Sequence, residues 1–231
     1  MIVYHGDLHG DITPIYNYVS ARKQNNLEVP ETIVVLGDAG LNYFLDGRDR
    51  KVKRKLNKLG VNIFCIHGNH EARPQTIPTY HQEIFKNGPV YIEDEYPNLK
   101  FAVDGEIYLL GNHKTLVIGG AYSVDKNYRL ANGYKWFSDE QPDEETKRKV
   151  VKTLQDNYWT VNQILSHTCP ASLVPTEAFS PGVDQSTVDT STEDFLEIVK
   201  EDTYYWRWLC GHWHIDKQVD NFYFLFNNFM E

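Results

Sequence analysis

Cysteine is scarce in this chain of 231 residues: Cys65, Cys169 and Cys210 are the only three, far apart and with no CxxC pair. A sparse, odd set gives no disulfide framework and fits a reducing compartment. Cys65 and Cys210 sit in apolar runs and read as small core residues. Long apolar runs are missing too, since nothing approaches the roughly 20 residues that span a bilayer. No membrane association is expected. Positive charge is in deficit, with 23 Lys and Arg against 32 Asp and Glu, a net charge of −9. That balance argues against general nucleic-acid binding, which needs a basic footprint. It leaves an anionic substrate open, because divalent cations at one rim attract phosphate locally. Repeats and low-complexity tracts are absent. A content of 41% hydrophobic and 13% aromatic residues excludes disorder as a description of the whole and suits a single domain over residues 1–231. Met1-Ile2-Val3-Tyr4 already reads as a strand just before the first candidate ligand, Asp7. A removable leader has no room there, and a cytoplasmic location is expected.

What is present is an alternation of strands and helices. Thr13-Pro14 predicts a helix start, with threonine as N-cap and proline at the first helical position. Thr32–Leu36 and Val61–Ile66 predict strands, and the segment from Arg48 to Lys58 an amphipathic helix, the sequence mark of crossover units. The basic residues of that helix read as its solvated face. Beyond residue 90, short strands at 101–103, 106–110 and 116–118 are separated by Asp104-Gly105 and Gly111-Asn112, which predicts a meander. A charged helix follows at 141–157, a strand at 160–166, a helix from an N-cap Thr192 to Lys200, and strands at 205–210 and 222–226. Residues 170–191 are polar, hold Pro170, Pro175 and Pro181, and read as a long functional or irregular loop.

Five short fragments carry the chemistry: Gly6-Asp7-Leu8-His9-Gly10, Gly37-Asp38, Gly68-Asn69-His70-Glu71, the isolated His167, and Gly211-His212-Trp213-His214. Four of them contain glycine and follow apolar runs, as strands do when they end in tight turns at a sheet edge. Asp7 with His9, and His212 with His214, are spaced two apart, so each pair leaves an extended segment on one face. Asp38 has two oxygens with which to bridge two cations. Asn69 offers an amide oxygen and His167 a nitrogen. This mixture suits borderline divalent metals, and two such ions about 3.5–4 Å apart can clamp a phosphoryl group. His70, next to a candidate ligand, is placed to act as a proton donor.

The ordered set resembles the calcineurin-like metallophosphoesterase superfamily, whose pattern is DxH, GD, GNH followed by an acid, a lone His, and GHxH. The resemblance runs from end to end of the chain. It implies an α/β fold, a two-sheet β-sandwich flanked by helices in four αββα layers. It also implies that Asp7, His9, Asp38 and His214 hold one metal, and Asp38, Asn69, His167 and His212 the other. His70 would contact the phosphate or protonate the leaving group. Two divalent metal ions are implied as cofactors, manganese first, with iron, zinc or cobalt as alternatives. The expected activity is hydrolysis of a phosphate ester, mono- or diester, by metal-bound hydroxide. The substrate would be a phosphorylated small molecule, a nucleotide or a protein.

Two other readings stand beside it: a noncatalytic metal-binding scaffold, and an enzyme like the serine/threonine protein phosphatases. The latter branch carries GDxxDRG and an arginine before GNHE. Here Ala39-Gly40-Leu41-Asn42-Tyr43 follows Asp38, and His67 precedes Gly68. The arginines that grip phosphate in that branch are therefore missing from those places. Arg73, Tyr122, Lys126 and Arg129 are the candidate substrate-binding residues. His5, His67, His81 and His113 read as surface or satisfied core residues, and Gly111-Asn112-His113 as turn chemistry.

Overall fold

A computed structural model describes residues 1–231. Its elements are, in chain order, β1 (Ile2–His5), α1 (Thr13–Gln24), β2 (Thr32–Val35), α2 (Gly47–Asn57), β3 (Asn62–Cys65), β4 (His81–Phe85), β5 (Gly88–Ile92) and β6 (Leu99–Ala102). There follow β7 (Ile107–Leu110), β8 (His113–Ile118), α3 (Lys126–Ala131), α4 (Glu144–Asp156), β9 (Gln163–Ser166), α5 (Ser191–Asp202), β10 (Arg207–Cys210), β11 (Lys217–Val219) and β12 (Phe222–Phe224).

The strands form two six-stranded sheets, ordered β1-β2-β3-β6-β5-β4 and β11-β12-β10-β9-β8-β7. In each, four neighbouring strands run parallel, β1-β2-β3-β6 in the first and β8-β9-β10-β12 in the second. Antiparallel strands occupy the flanks. Parallel strands need both faces covered, and the sequence supplies that. Val34, Leu36 and Phe64 of the first sheet meet Val117, Leu165 and Leu209 of the second in one buried cluster between the sheets. The alternate residues Ile33, Val35 and Ile63 turn outward onto Ile15, Val19 and Leu56 of α1 and α2. Ile164, Trp208 and Cys210 face Val150, Leu154, Leu196 and Val199 of α4 and α5. The layers are thus helix, sheet, sheet, helix. No helix is long and apolar enough to cross a membrane.

Several local expectations change. Asp104-Gly105 does not close a hairpin: β6 pairs with β3 and β5, while β7 pairs with β8 in the other sheet. The expected meander is instead a crossing between sheets, fixed where Asp104 Oδ1 accepts the Gly119 N–H at 2.7 Å. Gly111-Asn112 does join β7 to β8, both with positive φ (57° and 68°), as a tight hairpin turn requires. Thr13 lies inside α1, and its N–H donates to Asp11 Oδ1 at 2.9 Å. Thr192 lies inside α5, its hydroxyl donating to Gln141 Oε1. Residues 170–191 contain three single turns of 3-10 helix.

Candidate metal centre

The carboxyl ends of β1, β2, β3, β9 and β10 lie at one edge of the paired sheets, and each leads straight into one of the five fragments. Parallel strands place ligand sites at that end. Three of the glycines, Gly37, Gly68 and Gly211, are there because a candidate ligand from another fragment occupies the space of a side chain, Asp7 Oδ1 lying 2.2 Å from a Cβ on Gly211. A Cβ on Gly37 would lie 2.0 Å from His167 Nδ1, and one on Gly68 would lie 2.0 Å from Asp38 Oδ1. The fragments interlock, each leaving room for the next one's ligand. His9, Asp38, His212 and His214 all have left-handed backbones, with φ of 46°, 45°, 66° and 51°. For residues with a Cβ this costs roughly 1–3 kcal/mol each and collects at functional sites.

The structure brings all seven expected ligands together. Asp7 Oδ2 lies 3.2 Å from His214 Nε2 and 3.7 Å from His9 Nε2. Asp38 Oδ2 lies 3.8 Å from His9 Nδ1 and 3.7 Å from His167 Nε2. Asn69 Oδ1 lies 2.8 Å from His167 Nε2 and 3.1 Å from His212 Nδ1. Donor atoms of Asp7, His9 and His214, and again of Asp7, Asp38 and His167, lie within 4.8 Å of one another.

These positions fit bound cations. Asp7 Oδ2 is buried without a hydrogen-bond partner, which costs energy unless a positive group meets it. Separations of 3.7–3.8 Å are too long for hydrogen bonds. They suit two ligands on one ion, each at about 2.0–2.2 Å. The groups' other atoms are held by the protein. Asp7 Oδ1 accepts the His212 N–H and Asp38 Oδ1 accepts the His70 N–H. His167 Nδ1 lies 2.8 Å from the Leu36 carbonyl oxygen, which fixes the proton there and leaves Nε2 free. Burial pushes His212 well below the usual histidine range, favouring its neutral, ligating form, whereas the adjacent Asp7 carboxylate raises His214.

Sequence reading missed the support behind Asn69. Its Nδ2 donates to Ser123 Oγ at 2.8 Å, and Ser123 Oγ donates to the buried Glu140 at 2.5 Å. This chain turns the amide oxygen toward the histidines. Nothing local in the sequence ties Ser123 to Glu140.

His70 stands beside the cluster. Its Nε2 lies 3.3 Å from Arg129 Nη2 and its ring 5.8 Å from that of His9. A guanidinium can only donate, so that contact needs an unprotonated Nε2. Burial, the largest influence, accordingly lowers the His70 pKa. Arg129, on α3, is held by Asp125 Oδ2 at 2.7 Å and donates to the Tyr43 hydroxyl at 3.3 Å. Tyr122 lines the cleft with Asp38, Asn69 and His70.

Two candidates are not brought to the cluster. Arg73 is buried elsewhere, donating to Asp104 Oδ2 at 2.6 Å and to the Asp139 carbonyl at 2.7 Å, so its fork is already filled. Lys126 lies over the Trp136 ring, 4.0 Å from its centroid. His5 and His67 are buried, but neither finds partners for its ring nitrogens, so neither is a satisfied core residue. Asn42, where the protein phosphatase branch has its charged motif, is buried and accepts from the Tyr80 hydroxyl.

Two sandwiched sheets with a carboxylate, amide and imidazole cluster at one edge define the architecture of a metal-dependent phosphoesterase. The chain belongs to the calcineurin-like phosphoesterase family, whose model matches residues 2–216. Among solved structures it is similar in fold to TT1561 of Thermus thermophilus, at a TM-score of 0.52 and 13% identity, covering 97% of this chain and 87% of that one. A second solved structure has the same TM-score and identity, with 97% and 88% covered. No curated protein matches the chain.

Proposed function

We propose that this chain hydrolyses phosphate esters at a two-metal centre held by Asp7, His9, Asp38, Asn69, His167, His212 and His214. The observation that carries the reading is the meeting of those seven side chains from five fragments, with Asp38 Oδ2 within 3.8 Å of a nitrogen from each half, His9 and His167. Divalent cations bound there would polarise phosphoryl oxygens and lower the pKa of a shared water. The residues of the chain supply the rest. Arg129 would donate to a phosphoryl oxygen in place of His70. That exchange would free His70 Nε2 to take up a proton released by the attacking water and pass it to the ester oxygen as the P–O bond breaks. Water contributes the oxygen that joins phosphorus, and the alcohol departs with the proton. Arg129 would thus fill the role of the arginines absent near Asn42 and His67. Manganese, iron, zinc or cobalt each suit the mixed donor set, and a cytoplasmic setting fits the reduced cysteines, all three of which are buried and free.

The test is turnover of phenyl phosphate and of bis(4-nitrophenyl) phosphate by the manganese-loaded protein. Either should be hydrolysed, and His70→Ala should lower kcat by about 10²–10⁴ while metal content holds. Metal bound with no hydrolysis of either ester would favour a scaffold instead.

A further inference from the structure

Beside the ligands lies a cleft of about 420 Å³, running from Asp38, His70 and His214 beneath residues 174–190, within the size range of small-ligand sites. The segment above it is polar in sequence, yet Val174, Ala178, Phe179, Val183 and Val188 all line the cleft and all remain half-buried. These are the apolar residues other than proline between 174 and 188, and one loop turns all of them toward the site. Phe179 and Trp213 lie with ring centroids 6.2 Å apart at 35°, forming an aromatic wall. In the first turn of α5, Glu193 is 6% exposed. Its Oε1 accepts from Thr168 Oγ1 at 2.7 Å, while Oε2 is buried without a partner. Asp125 Oδ1, on the same cleft, is likewise unpartnered. No lysine or arginine lines the space. Arg48 and Arg129 instead border a separate cavity that His70 also lines, with His9 and Tyr43.

We propose that this cleft is a specificity pocket for the organic part of the substrate ester, a planar apolar ring carrying a hydrogen-bond donor and no further negative charge. The inference rests on the phosphoesterase reading. The phosphoryl group sits over the ligands and toward Arg129, and the ring lies the other way, against Phe179 and Trp213. Its donor reaches Glu193 Oε2, satisfying an oxygen that burial otherwise leaves bare. A cationic donor on the ring would pair with Glu193, whereas an added anion would find no lysine or arginine to meet it there.

The test uses the manganese-loaded protein and two phenols, 4-(aminomethyl)phenol and 4-hydroxyphenylacetate, whose side groups differ in charge. Their binding by calorimetry needs no turnover. The cationic phenol should bind at least about tenfold more tightly, the scale of one charge contact in a desolvated pocket. Glu193→Gln, which keeps an acceptor for Thr168, should reduce that preference severalfold. Phe179→Ala, on the loop, should weaken both phenols. Equal binding of the two, no detectable binding of either, or a preference untouched by both substitutions overturns the pocket. Phenyl phosphate turnover, measured in parallel, reports separately on the phosphoesterase reading.

Discussion

At the scale of single residues, the centre is built by exclusion as much as by ligation. Gly68 carries no side chain because Asp38 Oδ1 occupies the place where its Cβ would be, at 2.0 Å. Gly68→Ala should therefore push the Asp38 carboxylate aside and weaken manganese binding by at least about tenfold, as a metal titration would register. Ser123 acts through Asn69, whose amide it orients. Ser123→Ala removes that anchor and leaves the Glu140 carboxylate without its hydroxyl donor. Manganese affinity should fall about 10–100-fold at the site that includes Asn69, with the other little changed, resolved by two-step calorimetry. The motifs were legible in the sequence because donor types and glycine spacing agreed. Ser123 and Glu140 were not, since a relay between residues 17 apart leaves no local pattern. Arg129 was legible only as a candidate, and its place against His70 depends on where α3 packs.

At the scale of elements, pattern was readable where burial imposes it. Strands β1, β2, β3, β9 and β10 are buried over most of their length, and continuous apolar runs announce them. Strand β4 is exposed at four of five positions and so shows no alternation. Strand β5 begins Gly-Pro, which reads as a breaker, although Pro89 pairs with Ile84 of β4 at the start of the strand, before its pairing with β6 begins at Val90. Helix α3 has six residues and none buried, so no helical period exists to detect. Helix α4 starts at Asp143, whose side chain accepts the Thr146 N–H at 2.8 Å. That bond holds the Asp143 carboxyl below its ordinary 3.8. A depressed folded-state pKa means the stabilisation is present above about pH 4 and lost as pH falls through the lowered value. Asp143→Ala should cost about 1 kcal/mol at pH 7, the size of an N-cap exchange on an exposed, water-screened group. Denaturant melts should show the difference shrinking below pH 4.

At the scale of the whole molecule, function depends on topology bringing distant segments to one edge. Asp7 and His214 are separated by almost the full chain, yet Asp7 Oδ2 and His214 Nε2 lie 3.2 Å apart, because β1 and β10 end side by side on facing sheets. The four-layer arrangement followed from the family resemblance. Strand and helix periods alone admit one parallel sheet as readily as two, and the crossing at Asp104 that creates the second sheet looked like a hairpin. Metal content per chain tests the resulting claim most directly. Elemental analysis of the manganese-loaded, desalted protein should give about two ions per chain. Asp38→Ala, which removes the shared carboxylate, should lose most of both, and His214→Ala should retain about one. A wild-type chain that holds no ions, or an Asp38→Ala chain that keeps both, would contradict the account.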